Sequence, residues 1–500
     1  MADLTLMDKI VSLAKRRGFI YPGSEIYGGL ANTYDYGPLG TELLRNIKNL
    51  WWHYFVQSRS DMVGLDASII SHQKVWQASG HVAGFADAMI DCKNCKARMR
   101  ADHLLENYIE TLPEEERKEL LHNNLDDETD KSLVSALGTG KVEGLSLETL
   151  EKIRTIFSNK HNNPLRCPNC SKNDWTVIRR FNLLFPVQLG IVEGEGGMGY
   201  LRGETAQGIF INFRNVVDST RVRLPFGIAQ LGKSFRNEIT PGNSVFRTIE
   251  FEQGEIEYFF DHEATNWEEL FNKWENTMWD FVTKYLGINP EQLRWREHSD
   301  KERSFYSTRT EDLEYNFPFG FKELWGLAYR TNYDLTKHMD VSKKDLSIMD
   351  PQTGKKIVPH VIEPAVGINR LLLMVLLDAY TEQATSAGGS EGKRVVLNLH
   401  PKLAPYKVAI FPLLANKENL VEKAKGIYDE LKKHFMVTFD ARGNIGKRYL
   451  YQDEIGTPWC VTVDFDSLED EAVTVRDRVT TKQERVAIKD LASYFSSKLA

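Results

Sequence analysis

One segment in the middle of the chain combines residue types that suit nucleotide chemistry. Residues 235–258 read FRNEITPGNSVFRTIEFEQGEIEY, which we interpret as two strands joined by a loop. Period-two alternation gathers charged and aromatic side chains: Arg236 with Glu238 on one face of the first strand, and Arg247, Phe251 and Glu255 on one face of the second. Arginine binds phosphate by two parallel hydrogen bonds, and an aromatic ring stacks on a purine. These residues suit a nucleotide site, but without further evidence a hairpin with surface ion pairs is the favoured interpretation.

Four of the five cysteines form two C-x-x-C pairs, Cys92 with Cys95 and Cys167 with Cys170. Two such pairs can supply four thiolates to one tetrahedral zinc ion. Because 71 residues lie between the two pairs, zinc would tie this intervening segment at its neck in a structural role. Free buried thiols are the alternative interpretation.

The elements that must position these residues form a mixed α and β pattern. A chain of 500 residues exceeds the roughly 250–300 residues of a single core, so we expect two or three domains. Apolar residues at helical spacing predict a long amphipathic helix over 41–60, followed by a strand over 62–70. Beyond residue 177, β-branched and aromatic runs at 226–235 and 246–251 predict antiparallel sheet.

The last hundred residues have a different order of predicted strands and helices. A glycine-rich linker at 387–393 precedes strands predicted at 407–411, 436–440 and 459–464 and a helix at 419–434, which indicates a small α/β domain with a largely parallel sheet. A local basic cluster contains Arg442, Lys447 and Arg448. Alone, these charges would be interpreted as a solvated surface.

Composition narrows the function classes. The net charge of -7 gives no general attraction to nucleic acid, so any RNA contact must come from local basic surface. The first twenty residues lack the apolar stretch of a signal peptide, and no run approaches the roughly 18 apolar residues of a membrane helix. We expect a cytoplasmic protein without a membrane partner.

Two segments resemble motifs of class II aminoacyl-tRNA synthetases. Phe235-Arg236-Asn237-Glu238 followed by Arg247-Thr248-Ile249-Glu250-Phe251 is similar to motif 2, and VIEPAVGINR at 361–370 is similar to motif 3. The helix and strand over 41–70 fit motif 1, the dimer interface of that class, although the usual proline is missing. The glycine-rich stretch 194–199 lacks the Lys-Ser/Thr of a P-loop, and the signature peptides of class I synthetases are absent.

Several peptides are similar to the dimeric glycyl-tRNA synthetases in particular: YDYGP at 34–38, SGH at 79–81, RGETAQG at 202–208, YRTN at 329–332 and VIEP at 361–364. The resemblance spans the whole chain. It implies an α+β fold with an antiparallel catalytic sheet flanked by helices, a helical zinc-tied insertion and a C-terminal α/β anticodon-binding domain. The implied domains are 1–90 and 179–395 for catalysis, 91–178 for the insertion and 405–500 for the anticodon.

The resemblance also implies site residues. For ATP these are Arg236, Asn237, Glu238, Phe246, Arg247, Phe251, Glu323, Leu324, Gly367 and Arg370, of which Arg236, Glu238 and Arg370 are catalytic. For glycine they are Arg100, Glu204, Phe251, Glu252, Gln253, Gly254, Glu255, Arg330, Glu363 and Ala365. We expect adenine between Phe251 and Arg370, Arg236 on the α-phosphate with Mg²⁺ beside it, and the ammonium of glycine among Glu204, Glu255 and Glu363.

The implied partners are tRNA(Gly), glycine, ATP and a second copy of the chain through motif 1. Arg476, Arg478 and Lys482 join the basic cluster as possible RNA contacts. Two positions depart from the family, Gly203 where proline is common and Ala365 where serine is common. Rival interpretations are a class II synthetase for alanine, serine or threonine, and a non-catalytic relative such as the accessory subunit of mitochondrial DNA polymerase, which need not keep Arg236, Arg247 and Arg370.

Overall fold

A computed structural model describes residues 4–84, 86–113, 142, 145–159, 164–190, 197–238, 242–299, 307–350, 354–385 and 392–499. Four predicted features lie partly outside these ranges: the loop between the two central strands (240–241), the helical insertion 91–178 (114–141, 143–144 and 160–163), the glycine-rich stretch (194–196) and the linker (387–391). Among the described residues, no helix is both long and apolar enough to cross a membrane.

A seven-stranded sheet forms the centre of the molecule. In spatial order its strands are Leu293–Glu297, Arg309–Phe317, Gly320–Thr331, His360–Gly367, Glu250–Phe260, Phe226–Phe235 and Met62–Gly64. Every neighbouring pair is antiparallel except the last, in which Met62–Gly64 runs parallel to Phe226–Phe235. This confirms the predicted antiparallel sheet.

Two sequence predictions about the sheet are wrong in detail. The returning strand begins at Glu250 and not at residue 246, because Phe246 is the last residue of a short 3-10 helix, Ser244–Phe246. Arg236 and Arg247 therefore lie in the connection between the two strands. The predicted strand over 62–70 is two short strands, Met62–Gly64 and Ile70–His72, which belong to different sheets.

Helices cover both faces of the central sheet. The predicted long helix is confirmed as Pro38–Trp52, which begins with proline in its first turn and continues as a π-helical turn, His53–Gln57. Its buried stripe packs with the helices Trp267–Asp280 and Ile368–Ala379 in one large core. The helices Ala206–Ser219 and Tyr333–Ser342 cover part of the opposite face.

The insertion has its own small core. A three-stranded sheet of Arg98–Arg100, Ala86–Asp91 and Arg179–Asn182 carries the helices Ala101–Glu110 and Leu147–Ser158. Ile109, Ile153 and Phe157 are fully buried between them. The described part of this segment is helical around a cysteine neck, as predicted.

The C-terminal domain contains a five-stranded sheet in the order Val437–Phe439, Val408–Pro412, Trp459–Val463, Ala472–Asp477 and Gln483–Ala487. The first three strands are parallel, and the last two pair antiparallel. The prediction of a largely parallel sheet is correct for the first three only. The helices here are Glu418–Leu431, Ile445–Ile455, Ser467–Asp470 and Leu491–Leu499, with the 3-10 turn Ile488–Asp490.

Smaller elements complete the described chain. The helices are Leu6–Arg17, Gln73–Ala78 and His81–Gly84, and the short turns are Glu25–Tyr27, Phe281–Tyr285 and Pro290–Gln292. Ile20–Pro22 pairs with Tyr34–Tyr36, Ile348–Met349 with Lys356–Ile357, and Tyr380–Thr385 with Gly392–Leu397. Ile70–His72, Met198–Leu201 and Phe185–Gln188 form a three-stranded sheet beside the central one.

Candidate active site

A cavity of about 330 Å³ lies over the central sheet. The central sheet forms its walls with the end of Phe226–Phe235 and with Glu250–Phe260, Gly320–Thr331 and His360–Gly367. The first turn of the Ile368–Ala379 helix also lines it. The predicted residues that line it are Arg236, Glu238, Phe246, Arg247, Phe251, Glu323, Gly367 and Arg370, together with Glu204, Gln253, Glu255, Glu363 and Ala365. Residues separated by more than a hundred positions therefore meet in one cavity.

Arg236 is held at the end of its strand by the backbone. Its Nε donates to the carbonyl oxygen of Gly203 at 2.9 Å, and its guanidinium lies 5.3 Å from the centre of the Phe251 ring. Glu238 turns back beside it, 3.9 Å from the Nε of Arg247. The cavity thus presents two cations and an aromatic ring at the place where the sequence predicts a nucleotide.

Arg370 stands at the start of its helix and is fixed by three contacts. Its Nη1 donates to the Glu323 carbonyl oxygen at 2.9 Å and pairs with the Glu323 carboxylate at 3.0 Å, and its Nε donates to the Phe246 carbonyl oxygen at 3.3 Å. The guanidinium lies 4.5 Å from the centre of the Phe246 ring. In this structure Arg370 stacks on Phe246, and Phe251 faces Arg236.

Three buried carboxylates line the other end of the cavity. The Glu204 oxygens are 3.2 Å from His81 Nε2 and 3.0 Å from Gln207 Nε2. Burial alone raises the pKa of Glu204, but attraction to His81 and Arg330 outweighs burial and leaves its pKa below the ordinary value. Glu255 accepts a hydrogen bond from the Thr205 N–H at 2.7 Å, and burial together with repulsion from Glu204 raises its pKa. An ammonium ion would complement these charges.

Arg330 supports the carboxylate end from below. It is fully buried, donates from Nε and Nη2 to Asp334 at 2.8 and 2.9 Å, and its Nη1 pairs with Glu363. Burial raises the pKa of Glu363 to about 8, although Arg330 opposes the shift. Arg330 thus contacts a cavity carboxylate without lining the cavity.

Side chains alternate between the two faces of the Glu250–Phe260 strand, so only some of the predicted glycine-binding residues 251–255 face the cavity. Phe251, Gln253 and Glu255 face the cavity, whereas Glu252 pairs with Lys48 at 2.8 Å on the other face. A side chain at Gly254 would lie 3.1 Å from the Trp51 ring, so this glycine lets the motif 1 helix pack closely against the strand. Glu252 and Gly254 belong to the support of the site.

Three other predicted residues lie away from the cavity lining. Arg100 belongs to the insertion, where it contacts Asp102 and lies 3.6 Å from Asp87. The Asn237 N–H donates to the Leu183 carbonyl oxygen at 2.8 Å. Leu324 is fully buried in the main core, because its side chain alternates with that of Glu323.

The sequence interpretation missed polar residues on the ATP side of the cavity. Asp312 and His298 line it and are 2.7 Å apart, and Asn369 accepts a hydrogen bond from the Glu252 N–H at 2.7 Å. Asp312 lies on the Arg309–Phe317 strand, where acidic residues alternate with apolar ones. That alternation was a usable signal, but it does not separate a buried site residue from a surface charge.

The four paired cysteines converge as predicted. Their sulfur atoms all lie within 4.8 Å of one another, with 3.5 Å between Cys92 and Cys170 and 3.7 Å between Cys95 and Cys167. Zinc–sulfur bonds of about 2.3 Å in a tetrahedron require sulfur separations near 3.8 Å. Backbone N–H groups of Cys95 and Asn94 lower the pKa of the Cys92 thiol to about 7. The donor set therefore fits a structural zinc ion.

Some of the predicted RNA-contacting side chains in the C-terminal domain are exposed and others are buried. Arg442, Lys447 and Lys482 are exposed. Three others are buried, so their prediction as RNA contacts is wrong: Arg448 donates to the carbonyl oxygens of Pro412 and Gly443, Arg476 pairs with Asp453, and Arg478 donates to the carbonyl oxygens of Gly456 and Leu399. Charge alone does not reveal burial, because a long arginine side chain can satisfy buried acceptors.

Comparison with known proteins agrees with this geometry. Residues 193–379 match the profile of the tRNA synthetase class II core domain (G, H, P, S and T), residues 87–183 match glycyl-tRNA synthetase insertion domain 1, and residues 407–498 match an anticodon binding domain. The fold and cavity are thus those of a class II aminoacyl-tRNA synthetase.

Full-length relatives identify the family. The chain is 49% identical over 499 residues to a glycine–tRNA ligase of Clostridium acetobutylicum and 50% identical over 500 residues to one of Clostridium perfringens, covering 100% of each chain. It is 49% identical to one of Caldanaerobacter subterraneus subsp. tengcongensis, covering 99% of this chain and 98% of the relative. The chain belongs to the glycine–tRNA ligase family, as the resemblance of its sequence to glycyl-tRNA synthetases predicted.

Proposed function

We propose that the chain activates glycine with ATP and attaches it to tRNA in protein synthesis. The observation that carries this proposal is the single cavity in which Arg236, Arg370 and Phe251 stand at one end and Glu204, Glu255 and Glu363 at the other. A nucleotide triphosphate suits the first end and an amino acid ammonium the second. The full-length identity to glycine–tRNA ligases supports this reading over a synthetase for another amino acid.

In the first step, the carboxylate of glycine attacks the α-phosphate of ATP. The bond from that phosphorus to the bridging oxygen of pyrophosphate breaks, and glycyl-adenylate forms. We propose that Arg236 binds the α-phosphate and that adenine lies between Phe251 and Arg370, which would require the Arg370 guanidinium to leave the Phe246 ring. Alignment and charge neutralisation then provide most of the acceleration.

The carboxylates of Asp312 and Glu323 are the proposed ligands of the Mg²⁺ that accompanies ATP. Both have an oxygen near Gly326 on the cavity side, 3.8 and 3.9 Å from where a β-carbon of that residue would stand. Hard oxygen ligands suit Mg²⁺, which would neutralise the phosphates.

Glycine is selected by attraction at one end and exclusion at the other. Glu204, Glu255 and Glu363 hold the ammonium, and the Ala365 methyl occupies the wall on the strand opposite Glu255. Larger amino acids are rejected sterically, so no proofreading site is required. In the second step the terminal ribose of tRNA attacks glycyl-adenylate.

Glycine-dependent exchange between ATP and pyrophosphate tests the proposal. Wild-type protein should exchange with glycine and with no other member of a panel of twenty amino acids. Arg236→Ala should lose at least about a hundredfold in kcat/KM, because an arginine on the α-phosphate acts in the transition state. Arg294→Ala, in an arginine exposed on the first strand of the sheet, is the control. Exchange with a different amino acid, or full activity of Arg236→Ala, would contradict the assignment.

We propose separately that Cys92, Cys95, Cys167 and Cys170 bind structural zinc. The symmetry of the two knuckles supports this, since the N–H of Lys96 donates to the Cys92 carbonyl and that of Ser171 to the Cys167 carbonyl at 2.9 and 2.8 Å. Elemental analysis should find about one zinc per chain, and Cys167→Ser should lose it, whereas Cys460→Ser should keep it. A metal-free wild-type protein would refute the site.

The chain is further proposed to form a homodimer next to motif 1. The loop before the Pro38–Trp52 helix exposes Ile26 and Tyr27 by 88% and 87%, with Leu30 beside them. Exposed apolar residues in one loop mark a contact surface. Sedimentation should give twice the chain mass, and Tyr27→Asp should shift it toward the monomer.

The cytoplasmic location stays a prediction from the sequence, as do RNA contacts by Arg442, Lys447 and Lys482.

A further inference from the structure

Glu257 is a buried carboxyl group that none of the steps above uses. It lies two residues beyond Glu255 on the same face of the strand and is fully buried. Among the described residues, neither of its carboxylate oxygens has a hydrogen-bond partner. A buried carboxylate left ionised without hydrogen bonds costs several kcal/mol, so this group is expected to carry a proton.

The sheet register places a second carboxyl group against it. Glu255 is opposite Ala365 and Tyr258 is opposite Ile362, so Glu257 is directly opposite Glu363 on the adjacent strand. Facing residues of neighbouring strands have β-carbons about 4.5–5.5 Å apart, and two like charges there repel. Burial, followed by repulsion from Glu363, raises the pKa of Glu257 well above its ordinary value.

The surrounding charges do not remove this repulsion. Six charged or titratable groups of the described part of the chain face the pair. Glu255 is on the same strand as Glu257, Arg330 is on the Gly320–Thr331 strand, and Asp334 and His338 are on the helix that follows. Glu204 precedes the Ala206–Ser219 helix, and His81 contacts it. Five carboxyl groups therefore surround the guanidinium of Arg330, whereas the guanidinium groups of Arg236 and Arg202 act on Glu255 alone among them. At least one carboxyl must bind a proton for the cluster to approach neutrality.

We propose that the pair formed by Glu257 and Glu363 carries one proton in the free protein and that the ammonium group of glycine displaces it to solvent. The inference rests on the proposed glycine site, because Glu363 lines the cavity and Glu257 lies behind it. A carboxylic acid loses its proton and becomes a carboxylate, while glycine keeps its ammonium charge. Glu257 is thus a positioning residue. It keeps the carboxylate end of the cavity close to neutral while the cavity is empty, and it lets that end become negative when glycine is bound.

Calorimetric titration with glycine at pH 7 tests the exchange of proton for ammonium. The heat is measured in phosphate and in Tris, whose ionisation heats differ, so the difference counts the protons released. Wild-type protein should release about one proton per glycine, and Glu257→Gln, a neutral isostere, should release close to none. Between pH 6 and 7 the Kd for glycine should fall up to tenfold in the wild type and less than twofold in Glu257→Gln.

Two further variants distinguish a failure of the proton proposal from a failure of the proposed glycine site. Glu314→Gln removes a buried carboxyl group paired with Arg294 and Arg296, and it should leave the proton count unchanged. Glu204→Gln should weaken glycine binding itself; if it does not, the proposed glycine site fails. If Glu204→Gln weakens binding while the wild-type protein releases no proton, only the proton of the pair is refuted. The wild-type count decides even if Glu257→Gln does not fold, and an unchanged count in folded Glu257→Gln also overturns the proposal.

Discussion

Arg330 shows how one residue can control a site that it does not line. Its guanidinium is fully buried and joins Asp334, on the following helix, to Glu363, which faces the cavity. Removing the arginine would leave two carboxylates buried without their partner. The orientation of Glu363 toward the cavity therefore depends on a charge behind it.

We predict that Arg330→Met lowers the free energy of unfolding by about 3–5 kcal/mol, because breaking a buried ion pair leaves an uncompensated charge. The KM for glycine should rise as Glu363 loses its orientation. Arg294→Met is the matched control, since that side chain is about half exposed and its loss should cost under about 1 kcal/mol. Urea unfolding and glycine-dependent exchange measure both quantities; equal losses in the two variants would contradict the assigned role.

At this scale the sequence revealed the residue types of the site but not their partners. Phe251 and Glu255 were predictable because period-two alternation puts them on one face of a strand, whereas Arg236 was predictable from the resemblance to motif 2. The Gly203 carbonyl that holds Arg236, and the packing of Gly254 against Trp51, depend on chain segments that meet only in the folded structure. The burial of Arg476 was unpredictable for the same reason, since its partner Asp453 lies on a different element.

At the scale of elements, one end of the central sheet carries a stack of rings. His360, the first residue of its strand, stacks on His262 with ring centres 4.4 Å apart, and its Nδ1 lies 2.6 Å from the Tyr329 hydroxyl oxygen. Burial, followed by repulsion from His262, lowers the pKa of His360 to about 4. The folded strand end therefore favours the neutral form of this ring.

The sign of the pH dependence follows from this shift. Between about pH 6.5 and 4 the unfolded chain binds more protons than the folded one at His360, so stability falls as the pH falls through this interval. We predict that His360→Gln makes the thermal unfolding temperature less dependent on pH over the same interval. His434→Gln, in a half-exposed residue of the C-terminal domain, should leave the dependence unchanged. A wild-type protein equally stable at pH 4.5 and 7 would refute the prediction.

Element types were predictable where periodicity was long and consistent. The Pro38–Trp52 helix repeats apolar residues at helical spacing, and the Phe226–Phe235 strand is rich in apolar and aromatic residues; both elements are confirmed. The start of the next strand was placed too early, because the aromatic Phe246 and β-branched Thr248 resemble strand residues although Ser244–Phe246 forms a 3-10 turn. Local propensity did not reveal that this connection must bend to bring Arg247 to the cavity.

At the scale of the whole molecule, ion pairs and a buried hydrogen bond join the C-terminal domain to the rest of the chain. Asp453, on the Ile445–Ile455 helix, accepts from Arg476 of the same domain and from Arg394 of the preceding hairpin at 2.9 and 3.0 Å. Arg478 donates to the Leu399 carbonyl oxygen at 2.7 Å, and Arg16 of the first helix pairs with Glu454 at 2.9 Å. These contacts fix the position of a domain that is proposed to hold tRNA some distance from the cavity.

We predict that Asp453→Asn separates the two steps of the proposed reaction. Arg394 and Arg476 would lose the carboxylate between them, which loosens the domain junction while the cavity residues stay in place. Exchange of ATP with pyrophosphate should remain within about twofold of the wild type, whereas tRNA charging should fall about tenfold or more, because charging requires RNA held in register with the cavity. Asp429→Asn, which removes the partner of the exposed Lys432, is the control for a simple loss of negative charge. Equal losses of exchange and charging in Asp453→Asn would mean that the junction supports the catalytic sheet itself, rather than the placement of tRNA.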